Sequence, residues 1–223
     1  TLYLAIRVND ISRARGALAL NLRGLIDVNR DFAIYGSFQE MVSVTAYYAP
    51  LLLFSAKYGD ATGGQYAMAS RLVWAPTILI SGSYAQVLLH RFGKVAPKNP
   101  NELMQYLPGR RIVLTFFFVF FVACILANYA EVFVGQKWAM AGHMLSPLVL
   151  WGGVFLLSTP HRVLIRVFRL QKYQLIVDFG AISLFGLMYA KVDFSAVNLL
   201  WLMLVVAIIQ NAALIKLVVC DLR

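Results

Sequence analysis

Charge is scarce in this chain. Only 13% of its 223 residues are Asp, Glu, Lys or Arg, whereas 61% are hydrophobic and the mean hydropathy is +0.72. A water-soluble fold of this size needs a far more polar surface, and that class is excluded. Cysteine is nearly lacking: Cys124 and Cys220 sit in or beside apolar runs about a hundred residues apart, giving neither a disulfide framework nor a metal-ligand spacing. The three histidines, His90, His143 and His161, have no pattern of nearby carboxylates or cysteines, and no GxSxG, phosphate loop or Gly-rich dinucleotide fingerprint occurs. No catalytic residue, metal site or cofactor is therefore assigned, and the chain does not read as an enzyme. Acidic residues are few as well, ten against twenty basic, for a net charge of +10. On a soluble protein that excess would suggest nucleic acid; on so apolar a chain it belongs in cytoplasmic loops facing anionic lipid, and no nucleic-acid partner is expected.

What the chain has in plenty is long apolar runs. A spanning helix takes roughly 20 mainly apolar residues, at about 1.5 Å each, to cross about 30 Å of hydrocarbon. Six stretches qualify or nearly so: Ile34 to Ala56, Gln65 to Leu89, Ile112 to Ala130, Gly142 to Pro160, Tyr173 to Ala190 and Phe194 to Ile215. The expected fold is an all-α membrane protein, with a lobe of about six transmembrane helices over 32–223. Residues 1–31, which mix Arg7, Arg13, Arg15, Arg23 and Arg30 with Leu and Ile, form a basic cytoplasmic linker or an interfacial segment. The chain reads as a fragment, or as one half of something larger. Sixteen of the twenty Lys and Arg fall on one side of the predicted helices, and only Lys57, Lys137 and Lys191 on the other. Basic loops resist translocation, so both ends of the chain are expected in the cytoplasm.

Ionisable groups within a span cost about 2.5 to 3.5 kcal/mol each at mid-depth, and each needs a reason. Three are predicted to lie there: Glu40, Arg71 and Asp178. Arg71 shares a helix face with Ala75, Ile78, Gly82, Ala85 and, at the edge, Gln86. Small residues leave room for a cavity in which a guanidinium holds a phosphate by paired hydrogen bonds; the other reading is an Arg tied to a carbonyl or carboxylate to lock the bundle. Glu40 and Asp178, with Gln174 one turn before it, suit either a proton or cation pathway or hydrated structural roles. Gln210 and Asn211 point about 100° apart, so at least one faces the bundle and bonds another helix. Pro50 and Pro76 fall inside spans, and bent helices suit alternating access. A membrane-embedded transferase acting on lipid-linked sugars would draw on His161 beside Arg162.

Two blocks carry a family resemblance. Gly64, Tyr66, Ala67, Arg71, Pro76, Gln86 and Val87 follow the pattern of the seventh and eighth helices of bacterial polysaccharide transporters, the O-antigen flippases, which this stretch resembles. Gly135, Trp138, Ala141, Leu148, Ser158, Pro160 and Gln171 are similar to the same family's fifth outer loop, tenth helix and following inner turn. The likeness runs from about Asp31 to Cys220; His90 departs from it, standing where the family often has Pro. Family members have about twelve helices in two six-helix lobes around a central cavity, and this chain resembles the carboxy-terminal lobe alone. The resemblance implies a bacterial inner-membrane flippase for undecaprenyl-diphosphate-linked oligosaccharide, serving O-antigen, capsule or exopolysaccharide synthesis. Its expected partners are an amino-terminal lobe, membrane lipids and the polysaccharide polymerase machinery. Arg71 and Gln86 are then the expected substrate contacts, with Glu40 and Asp178 for ion coupling. A multidrug or lipid antiporter of the same superfamily is the alternative.

The topology is testable directly. A single cysteine placed at Lys137 should react with an impermeant thiol reagent in intact cells, and one placed at Lys98 only after the membrane is opened.

Overall fold

The computed structural model describes residues 34–95, 135–191 and 193–221, together with scattered positions between 113 and 129. Five long helices result. α1 covers 34–58, α2 Asp60–Val95, α3 Ala139–Val167, α4 Gln171–Lys191 and α5 Ala196–Asp221; a single 3-10 turn, Gln136–Trp138, leads into α3. Among the described residues, four stretches are long and apolar enough to cross a membrane: Asp60–Phe92, Gln136–Val167, Gln171–Lys191 and Ala196–Val218. The protein is an all-α membrane protein. α1, which carries Gln39, Glu40 and Lys57, is not among the four. The span expected at 112–130 lies largely outside the described residues, as does the segment 1–31.

Each described helix runs past at least one end of the apolar stretch that announces it, because backbone N–H and C=O groups near lipid are best satisfied within the helix itself. α2 starts at Asp60, so the loop expected over Lys57 to Gly64 shrinks to one residue, Gly59. Gly59 holds φ +85, a left-handed conformation open to glycine at little cost, and its N–H donates to Ser55 O at 3.0 Å. α3 likewise continues through Pro147 and Pro160 to Val167, and the polar turn expected over His161 to Lys172 contracts to Phe168, Arg169 and Leu170. There Leu170 N–H donates to Ile165 O at 2.9 Å and Arg169, at φ 58, to Arg166 O at 3.3 Å, a Schellman closure with Arg169 in the left-handed position. Pro160 removes one backbone bond but does not stop the helix.

α2 packs on α3, α3 on α5, and α5 on α4. α1 closes the ring. Its Tyr47 touches Trp74 of α2, and its Gln39 and the Leu53 carbonyl are hydrogen-bonded by α4. Two apolar cores tie the ring at its ends. One joins Phe54, Tyr66, Ala69, Met144, Leu148, Leu199 and Met203; the other joins Leu88, Phe92, Leu164, Ile165, Leu214 and Val218. Between them α2 and α3 cross at Gly152, where a Cβ would stand 3.0 Å from Thr77 Oγ1 and 3.1 Å from Val73 Cγ1. Small residues at a crossing are how helices gain close packing in lipid.

Gly152→Val should therefore lower stability by about 1–3 kcal/mol through overpacking, read as thermal unfolding of the purified protein in detergent. Adding Val73→Ala should return part of the loss.

Candidate functional site

The five helices stand round an elongated cavity of about 570 Å³. Its walls towards the Gly59 end are aromatic. Trp74 of α2 meets Tyr47 of α1 at 5.8 Å between ring centroids, and Trp151 and Phe155 of α3 at 5.4 and 5.7 Å, all edge-to-face. Edge-to-face pairs bring the positive rim of one ring onto the negative face of another and contribute about 0.5–1.5 kcal/mol each beyond burial. They hold α1, α2 and α3 at a fixed spacing. The hydroxyls of Ser81 and Thr159, both on the lining, donate to Ile78 O at 3.1 Å and Phe155 O at 3.2 Å of their own helices. Those walls therefore offer the cavity less polarity than their residue types suggest.

Charge gathers at the other end. The Asp178 carboxylate on α4 is buried, and three amides reach it from three helices: Gln39 of α1 and Gln174 of α4 donate to Oδ2, the latter at 3.4 Å, while Gln210 of α5 donates to Oδ1 at 2.5 Å. A carboxylate has about four acceptor sites, so most of its capacity is met by neutral donors. Nearby, Arg162 of α3 donates from Nε to Ser158 Oγ at 3.3 Å and from Nη2 to Asn211 Oδ1 at 3.1 Å, with its guanidinium 5.2 Å from the centre of the Phe155 ring. Asn211 is itself fixed by donating to Ala207 O at 2.7 Å. Further out, Arg166 pairs with Glu40 at 3.7 Å, with side chains 57% and 67% exposed. So exposed a pair contributes at most about 1 kcal/mol and opens readily.

Of the polar residues singled out from sequence, Glu40, Asp178 and Gln210 line the cavity. Arg71 and Gln86 do not, although Arg71 is exposed on the side of α2 that carries the lining residues Ile78 and Gly82, with Gln86 exposed at its edge. Gln210 and Asn211 both bond across helices, and their divergence sends one to Asp178 and the other to Arg162. His161 is buried in α3 off the cavity, and His90 and His143 are exposed. Among the described residues no group of three or more His, Cys, Asp or Glu is placed to hold a metal. Sequence reasoning missed Arg162 and Arg166 because Pro160 was read as a helix end, which assigned both to a loop. The spacing that reveals them is Ser158, Arg162, Arg166, one helical turn apart each time. Gln39 gave no signal beyond its place beside Glu40.

The chain matches no protein-family model, no curated protein and no solved structure. Its own residues define the class, an all-α membrane protein whose helices border an aromatic-walled cavity with charged groups at one end.

Asp178→Ala should cost about 2–4 kcal/mol, since it strands buried amides that share the carboxylate, whereas Asp178→Asn should cost less by keeping an acceptor oxygen. Chemical unfolding in mild detergent measures both.

Proposed function

We propose that this chain is the carboxy-terminal six-helix lobe of a two-lobed, twelve-helix flippase of the bacterial inner membrane, with both of its ends in the cytoplasm. Its cargo is undecaprenyl-diphosphate-linked oligosaccharide, moved from the inner to the outer leaflet for O-antigen, capsule or exopolysaccharide synthesis. The observation that carries the reading is Arg71. Its exposed side chain stands about 17 Å along α2 from Asp60, in a span about 50 Å long at about 1.5 Å per residue. A guanidinium facing hydrocarbon is costly, up to about 2.5–3.5 kcal/mol at mid-depth, so the face that bears it calls for protein or water rather than lipid.

Gly64 and Ala75 share that face and are exposed too, which lets a second lobe or a bulky polar substrate come close. The family resemblance assigns the diphosphate to the same Arg, whose planar fork suits phosphate oxygens. Gln86, exposed at the edge of this face, supplies an amide for sugar hydroxyls. In this reading the cavity inside the ring is not the path of the sugar; substrate travels between lobes, along the exposed face of α2. Glu40 and Asp178 are the groups proposed to couple an ion gradient to the cycle, and the polymerase machinery takes the product.

Arg71→Ala in the full-length protein should cut surface polysaccharide at least about tenfold while membrane levels of folded protein stay unchanged, with Arg71→Lys retaining part of the export. Equal loss of folded protein would make Arg71 structural. Normal surface polysaccharide with raised drug sensitivity would favour the antiporter alternative.

A further inference from the structure

The cavity within the ring has a shape that the flippase reading does not use. Along α3 it extends from Trp151 to Arg166, about 22 Å at about 1.5 Å per residue, a reach that suits one extended hydrocarbon chain. Ala46, Ile78, Ala181, Ile182, Val206 and Ala207 contribute to its walls, and an apolar bore is a poor home for water. Its mouth lies at the exposed Arg166–Glu40 pair.

The charges at that mouth are not equivalent. Asp178 is engaged by three amides and Glu40 by Arg166, whereas Arg162 has only neutral hydrogen-bond partners, Ser158 and Asn211, for two of its five N–H donors. An anion arriving at the mouth completes the Arg162 fork and replaces Glu40 at the loosely paired Arg166. A choline headgroup offers the same phosphate with an added cation, so it brings the two arginines no net anion.

We propose that the cavity sheathes a single acyl chain of an anionic lipid, with the acidic headgroup held by Arg162 and Arg166 and the chain running between the helices towards Trp74 and Trp151. Arg71 is not among the residues of this site, and the proposal stands or falls independently of the flippase reading.

The test uses the full chain, purified in detergent, and a 16-carbon lysophosphatidylglycerol bearing a diazirine on its chain, with lysophosphatidylcholine carrying the same label as control. Photolysis and peptide mapping should place adducts on bore residues such as Ala46, Phe155 and Ala181. The glycerol headgroup should label them at least tenfold more than the choline headgroup does. Glycerol phosphate, which has the headgroup but no chain, should not compete at equal concentration. Arg162→Gln should reduce bore labelling tenfold, and Ala181→Phe or Ala207→Phe, each of which plugs the bore and leaves both arginines in place, should abolish it in protein that still elutes as a single folded species. Adducts confined to outward residues such as Leu79, Phe179 and Ile209 would overturn the proposal. So would bore labelling that survives both plugs, and equal labelling by the choline lipid would overturn the headgroup assignment.

Discussion

A carboxylate buried among apolar helices must draw its hydrogen bonds from the protein, and the ring of helices is organised round that requirement at Asp178. Its partners come from α1, α4 and α5, so one side chain fixes the register of three helices that share little apolar core at that height. In lipid there is no hydrophobic drive to press helices together, and polar contacts of this kind carry specificity that Leu and Ile cannot. The neighbouring guanidinium of Arg162 ties α3 to α5 by the same logic through Asn211. Around these two groups the aromatic contacts of Trp74 set the spacing of α1, α2 and α3, and the space left between them is the cavity.

Much of this fold was legible as apolar runs, because roughly 20 such residues in a row have few other uses. The helix ends were not legible. Hydropathy reports where lipid is, whereas helices end where backbone partners run out; hence α3 passes Pro160 and reaches Val167, and α2 begins at Asp60. That difference hid the most informative cation. Arg162 looked like one of several basic loop residues, and only the continuation of α3 brings it beside Asn211 and within the field of Asp178. The helical phase of Gln210 and Asn211 was visible, but which helices they would meet was a matter of tertiary order. Arg71 stood out as an intramembrane charge, and its side of α2 depended on which neighbours claimed the opposite face. They are Ala69 and Val73, both buried.

The functional proposals rest on one side of α2. Trp74, Ile78, Gly82 and Ala85 border the cavity there, and Arg71, two turns before Ile78, is exposed on the same side with Gln86 at its edge. A lobe that works alone has no use for a charged, small-residue face in the membrane. A lobe that meets a second across a polar passage does, and the bends available at Pro50, Pro76 and Pro147 give such a pair of lobes a way to rock.

The measurement closest to the central proposal is leaflet-resolved mass spectrometry of undecaprenyl-diphosphate-linked glycans in cells lacking the parent gene. The account predicts complete repeat units accumulating on the cytoplasmic leaflet while surface polymer is lost. Truncated or unmodified units on that leaflet would contradict it, and would mean that the protein builds the glycan rather than moves it.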